Sequence, residues 1–90
     1  MIKYLVEFLG TMILAFVVLA TGNWVAIGCA LGIIALVGGP ISGGAYNPAV
    51  AISMYSAGKL SKSDLLPYII VEILGGIGAF YIYKNYVDKN

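Results

Sequence analysis

Polar residues are sparse in this chain, and their positions divide it. From Lys3 to Thr21 the residues are apolar apart from Glu7, Gly10 and Thr11. That run is long enough to cross a hydrocarbon core of about 30 Å as a helix. After the turn at Gly22-Asn23, a second run from Trp24 to Val37 is apolar on all sides and meets Gly38-Gly39-Pro40, a strong stop signal. A third run, from about 64 to 87, starts at a cap provided by Ser63 or Asp64 and tolerates Pro67 in its first turn. Trp24 at one helix start and Tyr81, Tyr83 and Tyr86 near the end of another fit the membrane interface.

Between the second and third runs the pattern changes. Ile41 to Tyr46 has no helical or strand period, and Asn47-Pro48 then reads as an N-cap followed by a first-turn proline. Ala49 to Ala57 forms helix well enough, and Gly58 stops it. About ten residues at about 1.5 Å each reach about 15 Å, half of a membrane crossing. Gly58 to Ser63, with Lys59 and Lys62, is the aqueous loop. The expectation is an all-α membrane protein with three transmembrane helices (about 3–21, 24–37 and 64–87) and one re-entrant loop and half-helix (about 40–57). Residues 1–90 then form a single repeat. Irregular backbone at membrane depth requires burial in protein or a water-filled cavity.

Composition agrees. Hydrophobic residues make 61% and charged ones 10%, and mean hydropathy is +0.97, which removes a soluble core from consideration. A net charge of +1 suggests no nucleic acid or other polyanion as partner. With no His and a single Cys, Cys29, neither a Cys/His metal site nor a disulfide within one chain is available, and no cofactor is expected. Glu7 within the first run, and the later hydrophobic runs, argue against a cleaved leader.

Three stretches carry a resemblance. Ser42-Gly43, followed by Asn47-Pro48-Ala49-Val50, resembles the Asn-Pro-Ala signature of the aquaporin and glycerol-facilitator (major intrinsic protein) family. Val6-Glu7-Phe8-Leu9-Gly10-Thr11 resembles that family's first helix, and Pro67-Tyr68 through Glu72 to Gly75-Gly76 its third. Members carry two such repeats; this chain has one, a half-aquaporin. The resemblance implies a passive channel for water or small neutral solutes such as glycerol, not an enzyme, with pores gathered in fours.

Three spans and one half-helix cannot enclose a pore. A second copy, inverted about an axis in the membrane plane, would bring its half-helix from the other side. The expected partner is therefore the chain itself as an antiparallel homodimer in the bilayer, and eight chains if four dimers gather. Insertion in both orientations requires weak charge bias, and Lys3, Lys59 and Lys62 against Lys84 and Lys89 is weak. A fragment of a longer protein, or one orientation with another partner, is the alternative.

Asn47 is the leading pore residue: its amide can donate to a passing oxygen where the half-helix dipole is positive. Pro48 and Ala49 set the helix start and let two such ends meet. Carboxylates inside spans are costly. By resemblance Glu7 accepts hydrogen bonds from the irregular loop, and Glu72, where Gln is commoner, is a second loop support. The family's outer constriction falls on Ile27, Ala35, Gly44 and Val50. Leu31 joins Ile27 and Ala35 by i, i+4, i+8 spacing. Tyr46 is a candidate to close the path. Val50 stands where a filter Arg is usual in a second repeat, and the chain has no Arg. Competing functions are a dual-topology, proton-coupled exporter using Glu7 or Glu72, and a non-transporting membrane interaction protein.

Overall fold

A computed structural model describes residues 1–89. Its elements are α1 (Ile2–Thr21), α2 (Trp24–Ser42), α3 (Pro48–Ser56) and α4 (Lys62–Tyr86), with no strand among the described residues. Three of the four, all but α3, are long and apolar enough to cross a membrane.

Local chemistry sets most of the boundaries. Gly22 takes the left-handed conformation that ends α1, its N–H donating to Val18 O at 3.0 Å. Asn23 then caps α2, its Oδ1 accepting from the Val25 and Ala26 N–H groups at 2.9 and 3.0 Å. The predicted stop of this helix at Gly38-Gly39-Pro40 is not where it ends; α2 continues through all three residues to Ser42. Gly38 is a packing position, where an added Cβ would meet Val6 Cγ1 at 2.7 Å and collide with the Tyr46 hydroxyl. Pro40 lies inside the helix, where it supplies no N–H to the ladder. The left-handed Gly43 makes the real stop, its N–H reaching Gly39 O at 2.7 Å. The start of α4 also differs from expectation: Ser61 is the cap, accepting from Asp64 N–H at 3.3 Å. Asp64 faces away, toward α1.

α1 and α4 run parallel and make the most extensive contact in the molecule. At one end, Lys3 Nζ and the Tyr4 hydroxyl both donate to the Asp64 carboxylate, at 2.7 and 2.6 Å. Half-way along, a Cβ on Gly75 would stand 2.6 Å from Phe8 O, so only glycine permits this approach. Ala79, one turn further, is fully buried. α3 lies beside the first half of α4, where its fully buried Ala51 packs in a cluster with Ala45 and Tyr68, flanked by Tyr4 of α1, Met54 and Leu65. Gly28 and Gly32 of α2 meet nothing within 4 Å, so that small-residue face is open. Large apolar side chains such as Ile33, Leu36 and Val37 are exposed around the outside. That surface suits lipid or another protein rather than water.

Candidate functional site

The segment from Gly43 to Asn47 reverses the chain using left-handed backbone at Gly43, Gly44 and Tyr46 (φ 90°, 70° and 54°). Tyr46 is the costly one, since a side chain disfavours that region. It is held there from several sides. Its ring fills the space left by Gly10 and Gly38, and its hydroxyl donates to Ile34 O at 2.6 Å. Its N–H donates to Glu7 Oε1 at 2.8 Å. Glu7 Oε2 accepts from the Ser42 hydroxyl at 2.7 Å and from Ala45 N–H at 3.1 Å. Tyr68 adds a hydroxyl donated to Ser42 O at 2.6 Å. Glu7 is fully buried, and its carboxylate satisfies two backbone N–H groups that irregular backbone would otherwise leave orphaned.

This loop sets the start of α3. Asn47 is extended (φ −156°) and its Oδ1 accepts from Ala49 N–H at 2.8 Å. That contact leaves the amide NH2 to donate outward from an exposed residue. Asn47 and Pro48 form the inner end of an open, mostly apolar groove of about 540 Å³. Its walls are the second halves of α1 and α4, including Thr11, Ala15, Leu19, Gly76 and Phe80. So α3 occupies one half of the α1–α4 flank, the groove occupies the other, and the Asn-Pro end stands at the border.

The sequence that builds this loop and half-helix has counterparts among known proteins. The family model for "Major intrinsic protein" matches residues 1–90. The chain belongs to the major intrinsic protein family. It is similar to the glycerol uptake facilitator protein-like 6 of Lactiplantibacillus plantarum, 43% identical over 96% of this chain and 44% of that protein. It is also similar to aquaporin AqpM of Methanothermobacter thermautotrophicus, 46% identical over 69% of this chain and 27% of that one. Aquaporin Z of Photorhabdus laumondii is 36% identical over 83% and 39%. The chain thus spans less than half the length of these relatives. No solved structure matches. Family membership and three membrane-length apolar helices make this an integral, multi-pass membrane protein.

Within this major intrinsic protein chain the expected site residues separate into two places. Asn47 and Pro48 stand at the groove, with Ala49 and Val50 exposed on the first turn of α3. Gly44 lies against α2, where an added Cβ would come 3.8 Å from the Ala35 Cα. Leu31 and Ala35 are exposed on α2 and Ile27 is half-buried; none of the three lines the groove. Glu72 is buried, and neither of its carboxyl oxygens has a hydrogen-bond partner. Tyr46 also borders the groove, at its Asn47 end, while its ring is 2% exposed and held between α1 and α2. Ser42, Tyr68 and Thr11 escaped sequence reasoning as site residues. Ser42 is in the motif, and Tyr68 sits one turn before Glu72, but nothing local marks either hydroxyl as a loop contact.

Proposed function

We propose that this chain is one half of a passive membrane channel for water and small neutral solutes such as glycerol, and that an inverted second copy completes it. The observation that carries the reading is the half-helix: nine residues, about 13.5 Å, rigidly started at Asn47 and ending its crossing half-way. The apolar groove on the α1–α4 flank supports it. From Thr11 to Leu19 the α1 wall runs about 12 Å, which suits a second nine-residue helix arriving from the opposite side. The two Asn-Pro-Ala ends then meet at mid-membrane, and the paired Asn47 amides and helix dipoles orient passing water and oppose cations.

In this arrangement Ile27, Leu31, Ala35, Gly44 and Val50 form apolar constrictions, alike at both mouths and without a fixed cation. Such a mouth suits a solute wider than water. The relatives' names point both ways, one to glycerol uptake and two to aquaporins. Four dimers, eight chains inserted in both orientations, extend the family pattern. Lys3, Lys59 and Lys62 at one end face Lys84 and Lys89 at the other, so charge favours neither orientation strongly. The protein moves solute without chemistry and is not an enzyme.

Stopped-flow light scattering on vesicles reconstituted with this chain alone tests the reading. An impermeant osmolyte should shrink them several-fold faster than empty vesicles, and Asn47→Asp should change that rate. Glycerol as the osmolyte then reports the width. Folded, inserted protein with no permeability above empty vesicles would overturn the self-sufficient channel.

A further inference from the structure

Among the described residues, Glu7, Thr11, Ser42 and Glu72 are buried, as are the hydroxyl-bearing Tyr46 and Tyr68. Glu7 and Ser42 bind each other and the loop, whereas Glu72 has no donor on either oxygen. The parallel packing of α1 and α4 fixes what it faces. Tyr4 meets Asp64 and Tyr68, and Phe8 and Thr11 meet Gly75, so the rung between them sets Glu72 opposite Glu7. The other groups around it are committed or uncharged. Tyr68 donates to Ser42 O, Tyr46 donates to Ile34 O, and Lys3 is paired with Asp64 at the helix end. Thr11 is a neutral hydroxyl on the α1 face. α2 contributes no charged residue, and α3 none.

Two ionised carboxylates in this position could only accept, and both would be buried beside each other without compensation. Their roles are not interchangeable. Glu7 already accepts from three donors, two of them backbone N–H groups that cannot be reversed, whereas Glu72 has none, so the ionised carboxylate belongs at Glu7 and the acid at Glu72. An ionised carboxyl offers about four acceptor positions, and the loop takes three. We propose that Glu72 is held as a carboxylic acid and donates its proton in a hydrogen bond to Glu7, supplying the fourth donor. Glu72 is then a positioning residue: it fixes the Glu7 carboxylate, which fixes Ala45 and Tyr46, which fix the Asn47 end of α3. The assignment stands on this loop geometry whether or not the chain conducts.

The test uses the full chain in lipid vesicles at neutral pH. Infrared spectra of the wild type should contain the carbonyl band of a protonated carboxyl, and Glu72→Gln should remove it. Amide exchange at Ala45 and Tyr46 should stay within about two-fold of wild type in Glu72→Gln, because an amide also donates to Glu7. It should rise by at least about ten-fold in Glu72→Leu, which cannot donate. A wild type lacking the protonated band, or a Glu72→Gln variant exchanging as fast as Glu72→Leu, would overturn the proposal. If neither variant folds, Glu7→Gln assigns the band: it should persist there, and its loss would overturn the proposal.

Discussion

Glu7→Gln is nearly isosteric, yet it should free the loop. The carboxylate uses Oε2 for Ser42 and Ala45 and Oε1 for Tyr46, at 2.7, 3.1 and 2.8 Å. In the best rotamer the Gln oxygen replaces Oε2 and keeps two bonds, now to a neutral acceptor. Its NH2 then points at the Tyr46 N–H, donor against donor. A hydrogen bond to a charged group contributes about 1.5–3 kcal/mol, and an orphaned buried donor costs about 1–3 kcal/mol more. Because the two terms overlap, the loop should be weakened by about 3 kcal/mol or somewhat more. Every 1.4 kcal/mol is a tenfold change, so amide exchange at Tyr46 should accelerate by about 100-fold or more. Amides in the middle of α1 serve as the internal control. The assay is hydrogen exchange read by mass spectrometry or NMR on the reconstituted protein, beside the same osmotic shrinkage measurement. Exchange at Ala45 and Tyr46 within about two-fold of wild type would refute the claim that the carboxylate holds the loop.

Gly75→Ala places a methyl 2.6 Å from Phe8 O and 3.2 Å from Met12 N, so α1 and α4 must part by about 0.8 Å to restore ordinary contact at 3.4 Å. The expected loss is about 1–3 kcal/mol in a denaturant titration of the reconstituted chain. Tyr68→Phe removes the 2.6 Å bond to Ser42 O and should cost about 1–3 kcal/mol in the same titration, because the carbonyl is left buried without its donor.

Much of the architecture is written in single stretches of sequence. Apolar runs of membrane length need no long-range information, and Asn47-Pro48 marks a helix start through its own side chain and ring. A carboxylate in the middle of such a run, as at Glu7, signals that donors must come from elsewhere, without naming Ser42, Ala45 and Tyr46. The errors lie where distant contacts decide. Gly38-Gly39-Pro40 has every local mark of a helix end, but Gly38 is small because the Tyr46 ring and Val6 pass over it. Ser63 and Asp64 read as caps, but Ser61 takes the role; Asp64 is withdrawn from it by Lys3 and Tyr4, some sixty residues earlier. Tyr46 borders the groove, but nothing local shows that its ring is held in the space left by Gly10 and Gly38. Glu72 gives no local sign of the face it presents, which depends on how α4 rotates against α1.

The shortness of α3 also sets the order in which the chain can be assembled. Nine residues leave few internal hydrogen bonds once both ends are discounted, and a helix that short does not persist unaided. α1 and α2 are adjacent in sequence and can enter the bilayer together as a hairpin. The segment from Gly43 to Ser61 cannot follow them into lipid, because its turn would expose unpaired backbone there. It has to wait at the surface until α4 is made, since α4 supplies Leu65 and Tyr68 against Ala51. The re-entrant segment is therefore the last part of the protomer to take its place, although it is synthesised third of the four.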